Sequence, residues 1–288
     1  MQRSILTRLL VDPPRHLVPG FLFTILIHMT TKRAAFLILV FAAICAGVFR
    51  QSLRDLVLDA RTQPLPSEQP RATSSPTPTT SEQVQPVGAI NLAVPFSSQA
   101  PRGDWSLPWQ EACEETSALL VDAFWRGTSP SVDQVEAGIQ VLVAWQQAHF
   151  GYYKHTTSAQ TARMIREVYG YNRVDVRYDV TIEDIAREVR AGRPVIVPLA
   201  GRLLENPYYT SPGPVYHMLV VKGVTASGDI ITNDVGTRHG RNLTYAPSVF
   251  LNAMHDVPTG GDEWPADVDF VSYVQSGRRA MIVVYPNE

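Results

Sequence analysis

A chain of 288 residues with 25 basic and 27 acidic side chains has a formal net charge of -2, which favours neither a nucleic-acid partner nor an acidic substrate. Two cysteines, Cys45 and Cys113, cannot build a disulfide framework. With Cys45 inside an apolar segment, Cys113 is expected to be a free thiol.

In chain order, the first distinctive stretch is Ala34 to Phe49, which is uncharged, preceded by Lys32 and Arg33 and followed by Arg50. It is short for a membrane span, which needs about 20 residues, but flanking Lys and Arg can snorkel. No good small-residue cleavage site follows Cys45, so residues 34–49 are expected to be an uncleaved signal anchor. Arg3, Arg8, Arg15, Lys32 and Arg33 all precede it, which leaves residues 1–33 cytoplasmic and the bulk of the chain extracytoplasmic, as in a single-pass cell-membrane protein. Met29 is an alternative start, in which case residues 1–28 are mis-annotated. Residues 50–88 follow as a linker rich in Pro, Ser and Thr from Thr62 onwards, a composition that buries too little apolar surface to offset its ordering entropy.

Residues 89–288 suit one domain. Pro108 disfavours helix at Leu107, so a helix that cannot begin much earlier than Pro108 carries Cys113 in its first or second turn, turns Ala112, Thr116, Leu119, Ala123 and Phe124 to the core, and stops at Gly127. Further helices are predicted at Ser131–Gln147, Ser158–Val168 and Ile182–Ala191. Strands are predicted at Val174–Tyr178, Val195–Leu199, His217–Val224, Asp229–Thr232 and Met281–Tyr285. Early helices and late strands imply an α+β fold, N-terminal helices packed on an antiparallel sheet. If Thr225–Gly228 is a hairpin loop, Val224 pairs with Asp229 and Asp234 falls opposite Leu219. His217 and Asp234 then project to one face as diagonal neighbours.

These positions carry the chemistry. A thiol at a helix N-terminus feels the positive end of the macrodipole, which favours thiolate, the reactive form. An imidazole and a carboxylate follow in the chain order Cys, His, Asp. Taken singly, Cys113 could be a small buried apolar residue, His217 a hydrogen-bonded core residue and Asp234 a turn carboxylate, with Asn233 as a rival orienter. Trp105, Trp109, Tyr208, Tyr209, Tyr216 and Trp264 are candidates to line a peptide cleft. A metal site drawing on His217, Asp234, His239 and His255 has no compact ligand spacing, and Arg238 and Arg241 flank His239. Neither a metal nor another cofactor is expected.

Four motifs in order, Val94-Pro95-Phe96-Ser97-Ser98-Gln99, Ala112-Cys113-Glu114-Glu115-Thr116-Ser117, His217 in an apolar strand, and Asn233-Asp234-Val235-Gly236, resemble the peptidase C39-like group, papain-like cysteine peptidases related to bacteriocin-processing domains. The resemblance implies a papain-like fold, a peptide or protein substrate, Cys113 as nucleophile, His217 as general base and Asp234 as its orienter. It also implies an upstream glutamine as oxyanion donor, Gln99 by motif, with Gln110 as the alternative by proximity to Cys113. Bacteriocin-processing members carry Gly after the nucleophile, where this chain has Glu114. The alternatives are an NlpC-type cell-wall peptide hydrolase and a catalytically inactive peptide-binding module of the same fold.

Overall fold

The computed structural model describes residues 65–71 and 88–287. The apolar segment 34–49 and most of the stretch read as linker lie outside the described residues. No helix among the described residues is long and apolar enough to cross a membrane.

The elements run β1 (Ile90–Asn91), a 3-10 turn (Trp109–Glu111), α1 (Cys113–Arg126), α2 (Val132–Phe150), α3 (Ser158–Tyr169), β2 (Arg173–Tyr178), α4 (Ile182–Arg190), β3 (Val195–Ala200), a second 3-10 turn (Gly201–Leu204), β4 (Tyr216–Val224), β5 (Ile230–Asn233), β6 (Arg241–Tyr245), α5 (Pro247–Ala253), α6 (Phe270–Gln275) and β7 (Ala280–Tyr285). Trp109–Glu111 close a 3-10 turn first, so helix α1 begins at Cys113, which lies in its first turn. Gly127 ends α1 with φ of 67°, a left-handed cap that costs glycine little. Capping boxes Ser131/Gln134, Thr157/Gln160 and Thr181/Asp184 set the starts of α2, α3 and α4.

All named strand pairs are antiparallel, in the order β2-β7-β3-β4-β5-β6, with β1 added against β4. This is the α+β layout with an antiparallel sheet. Strands β3 and β4 are buried at every residue, so both their faces are covered. Helix α1 packs on β4 and against α2 and α3, and is buried from Cys113 to Trp125 rather than along one stripe.

The hairpin between β4 and β5 departs from the expected register at its tip, where Val224 pairs with Ile230. A bulge between Val221 and Gly223 takes up the extra residue, and Val221 pairs with Thr232 and Val220 with Asn233, as expected. The β4 end that carries His217 therefore keeps its intended alignment with the end of β5.

Residues 65–71, inside the stretch read as linker, are tied to the domain. Gln69 N–H donates to Asn91 O at 2.7 Å and Ala93 N–H to Gln69 O at 2.8 Å, a strand-like bridge beside β1. Glu68 accepts from Lys222 Nζ at 2.7 Å and from Arg241 at 3.2 Å, and the Arg71 guanidinium lies over the Trp125 ring. The Lys222 side chain is fully buried. The composition of this segment conceals the ion pair and backbone bonds that fix it.

Candidate active site

Two elements converge on one cleft. The start of α1 presents Cys113 to β4, where Met218 N–H donates to Sγ at 3.4 Å. On β4 His217 precedes Met218, and its Nε2–H donates to Asp234 Oδ1 at 2.9 Å. Both members of that pair are buried. With Nε2 carrying the proton, Nδ1 is left as the acceptor nitrogen, the form a general base requires. The turn passes close to the ring: a Cβ on Gly236 would sit 2.9 Å from His217 Cε1, so a larger residue there would have to displace the imidazole.

Asp234 collects five donors. Beyond His217, its Oδ2 accepts from Asn206 Nδ2 at 2.8 Å, Tyr209 Oη at 2.8 Å and Tyr245 Oη at 2.6 Å, and its Oδ1 from Gly236 N–H at 3.0 Å. Burial pushes the carboxyl up, but His217 and the Tyr245 and Tyr209 hydroxyls outweigh it and hold Asp234 below the usual carboxylate range. The rival Asn233 faces elsewhere, with Nδ2 donating to the Val94 and Pro95 carbonyls at 3.1 and 3.0 Å. Sequence reasoning missed Asn206 and Tyr245, which reach Asp234 from loops and strands that no local pattern connects to it.

The helix start favours thiolate, but the surroundings of the thiol oppose it, Glu114 and Glu115 among them. Cys113 is buried, and its Sγ–H donates to Glu114 Oε2 at 3.0 Å. Burial first and the Glu114 carboxylate second push the thiol well above its ordinary value. Both act against the helix N-terminus, which favours thiolate. Burial also raises Glu114, to about 7, while Thr156 N–H donates to its Oε1 at 3.2 Å. Burial and the Glu114 carboxylate raise Glu115 as well, with Gln146 Nε2 donating to one of its oxygens. Across the cleft His155 is pushed down to about 4, chiefly by burial.

The cleft, about 1020 Å³, is lined by Cys113, Glu114 and His217, and by Gln99 and Gln110. Gln99 Nε2 donates to the Trp109 and Gln110 carbonyls at 3.0 and 2.8 Å, so both its amide hydrogens brace the turn before Cys113. Of the six aromatic candidates, Trp105, Tyr208, Tyr209, Tyr216 and Trp264 line the cleft, while Trp109 packs on the core instead. His239 stacks on Tyr208, and His255 Nδ1 lies 2.8 Å from the Gly277 carbonyl, so neither converges on His217 and Asp234.

No curated protein matches the chain. Among solved structures, a Bacillus anthracis protein described as a C39-like peptidase candidate is similar with a TM-score of 0.41 at 14% identity, covering 69% of this chain and 99% of its own. The sequence profile of the Peptidase C39-like family matches residues 91–254, which include Gln99, Cys113, His217 and Asp234. The chain belongs to the Peptidase C39-like family.

Proposed function

We propose that the chain is a cysteine peptidase, or a closely related amide hydrolase, of papain-like fold, acting on peptide or protein substrates through Cys113, His217 and Asp234. The observation that carries this reading is the buried His217–Asp234 hydrogen bond at 2.9 Å beside a cleft that Cys113 also lines. Asp234 fixes the imidazole tautomer, His217 Nδ1 handles protons, and Sγ attacks the substrate carbonyl. The Cys113 N–H, at the first helical position, has no intrahelical acceptor and suits an oxyanion. Gln99 becomes the second donor if its amide turns from the Trp109 and Gln110 carbonyls.

The raised thiol favours a second reading, a peptide-binding module of this fold without turnover. A peptide vinyl sulfone separates the two. Labelling confined to Cys113 and lost in His217→Ala supports the enzyme, whereas no labelling at any pH from 5 to 9 supports the module.

The uncharged segment 34–49 behind Lys32 and Arg33 supports a membrane tether with the domain extracytoplasmic. Protection of the domain from external protease in intact cells would overturn this placement.

A further inference from the structure

We propose that Arg202 and Arg238 set the specificity of the cleft by selecting substrates that present a carboxylate on the leaving-group side of the scissile bond. This rests on the peptidase reading above for where that bond lies. Both arginines line the cleft, and each stands beside a glycine packed against His217. A Cβ on Gly201 would lie 3.1 Å from His217 Cβ, and Arg202 is the next residue; the Gly236 turn that passes the imidazole reaches Arg238 two residues on. A base that hands its proton to the departing amine has the leaving residues on its own side. The imidazole side of the cleft is where the two guanidiniums stand.

Their charge is not spent within the fold. Arg202 Nε donates to the Gly213 carbonyl at 3.2 Å, and Arg238 Nε donates to His239 Nε2 at 3.1 Å, so each is aimed by an uncharged acceptor. Neither forms an ion pair among the described residues, and both are exposed. Asp269 is held below its ordinary range chiefly by the hydrogen bonds from Ser272, and least by Arg202. Arg102 also lines the cleft, but its guanidinium is taken up by Asp133 and Glu136. With Nε already placed, the terminal nitrogens of Arg202 and Arg238 are left for a planar, two-oxygen acceptor.

The thiol side has the opposite sign. Glu111 and Glu114 line it, in the turn before α1 and in its first turn. A substrate carboxylate is repelled there and attracted past His217, which gives the bound peptide a direction as well as a preference. Asp or Glu side chains after the scissile bond, and the C-terminal carboxylate of a short leaving peptide, share this chemistry.

Fluorescence anisotropy on the full chain carrying Cys113→Ala reads the preference as binding, without turnover. The probes are labelled peptides of one sequence whose C-terminal half carries Glu, Gln or Lys, each with a free or an amidated C-terminus. A carboxylate should tighten binding roughly tenfold over its neutral counterpart, and Lys should weaken it. A gain from Glu over Gln assigns the carboxylate to a side chain, and a gain from the free over the amidated end assigns it to the C-terminus. Arg202→Glu combined with Arg238→Glu should reverse the order of the Glu and Lys peptides. Raising salt to about 0.5 M should erase most of the gain with no change at either arginine. Equal binding of all peptides, no binding by any, a gain unmoved by salt, or an unreversed order in the folded double variant overturns the proposal. So does wild-type cleavage with acidic residues before rather than after the cut. Absence of wild-type cleavage with the binding order intact would count against the peptidase reading and leave the carboxylate preference of the two arginines standing.

Discussion

Asp234 and Glu114 are buried carboxyls driven in opposite directions, and the difference lies in their neighbours. Asp234 has an imidazole and two tyrosine hydroxyls, which hold it below the usual range; Glu114, raised by burial and by Glu111, has no paired cation among the described residues, which leaves it near 7. The linkage signs therefore differ. Stability from Asp234 is present above the unfolded carboxylate value and lost as pH falls through its depressed folded value. Glu114 binds its proton more tightly when folded, so it costs stability as pH rises from about 4.5 to 7. Glu114→Gln should flatten that part of the melting-temperature profile and raise the midpoint above pH 7. Tyr245→Phe should cost about 1–3 kcal/mol by removing a donor to a buried carboxylate, and should move the acid-side loss to higher pH. Urea unfolding of both variants at pH 4, 6 and 8 checks these signs. The His217–Asp234 pair was legible because hairpin register is a local matter of counting. Asn206 and Tyr245 were not, since their approach depends on how distant segments close around the carboxylate.

At the scale of elements, helices and strands were legible to within a few residues wherever a periodic apolar run met a cap, as at Thr157/Gln160 before α3. Strand β6, Arg241–Tyr245, and the short helices α5 and α6 were not, because exposed or very short segments carry little periodicity. The segment 65–71 misled for a different reason: its composition is that of a spacer, yet Glu68 meets the fully buried Lys222, whose Nζ also donates to Asn242 at 2.8 Å. Burial lowers Lys222, and Glu68 opposes that effect. Glu68→Ala should leave the ammonium poorly compensated and cost about 3 kcal/mol, and Lys222→Met should restore most of it in the double variant. Chemical denaturation of the four proteins checks this cycle; additive effects would show that the pair is not coupled.

Across the whole molecule, the α+β class was legible in the succession of helices and then strands. The strand order was not: β7, from the C-terminus, inserts between β2 and β3, a non-local pairing that no local pattern encodes. That sheet fixes β4, which carries His217 and faces the start of α1, so one strand aligns the imidazole with its aspartate and meets the thiol. Residues 65–71 hydrogen-bond and ion-pair with the domain that follows β1. A fragment beginning at residue 65 should melt higher than one beginning at residue 89, since only the first retains Glu68 and the Gln69 bridge. Cleavage of peptides by the wild-type chain tests the central claim most directly. New N-termini in a mixed peptide library, read by mass spectrometry, should appear with wild type, vanish with Cys113→Ala and fall by orders of magnitude with His217→Ala. Equal cleavage by Cys113→Ala, or none by wild type at any pH from 5 to 9, would contradict it.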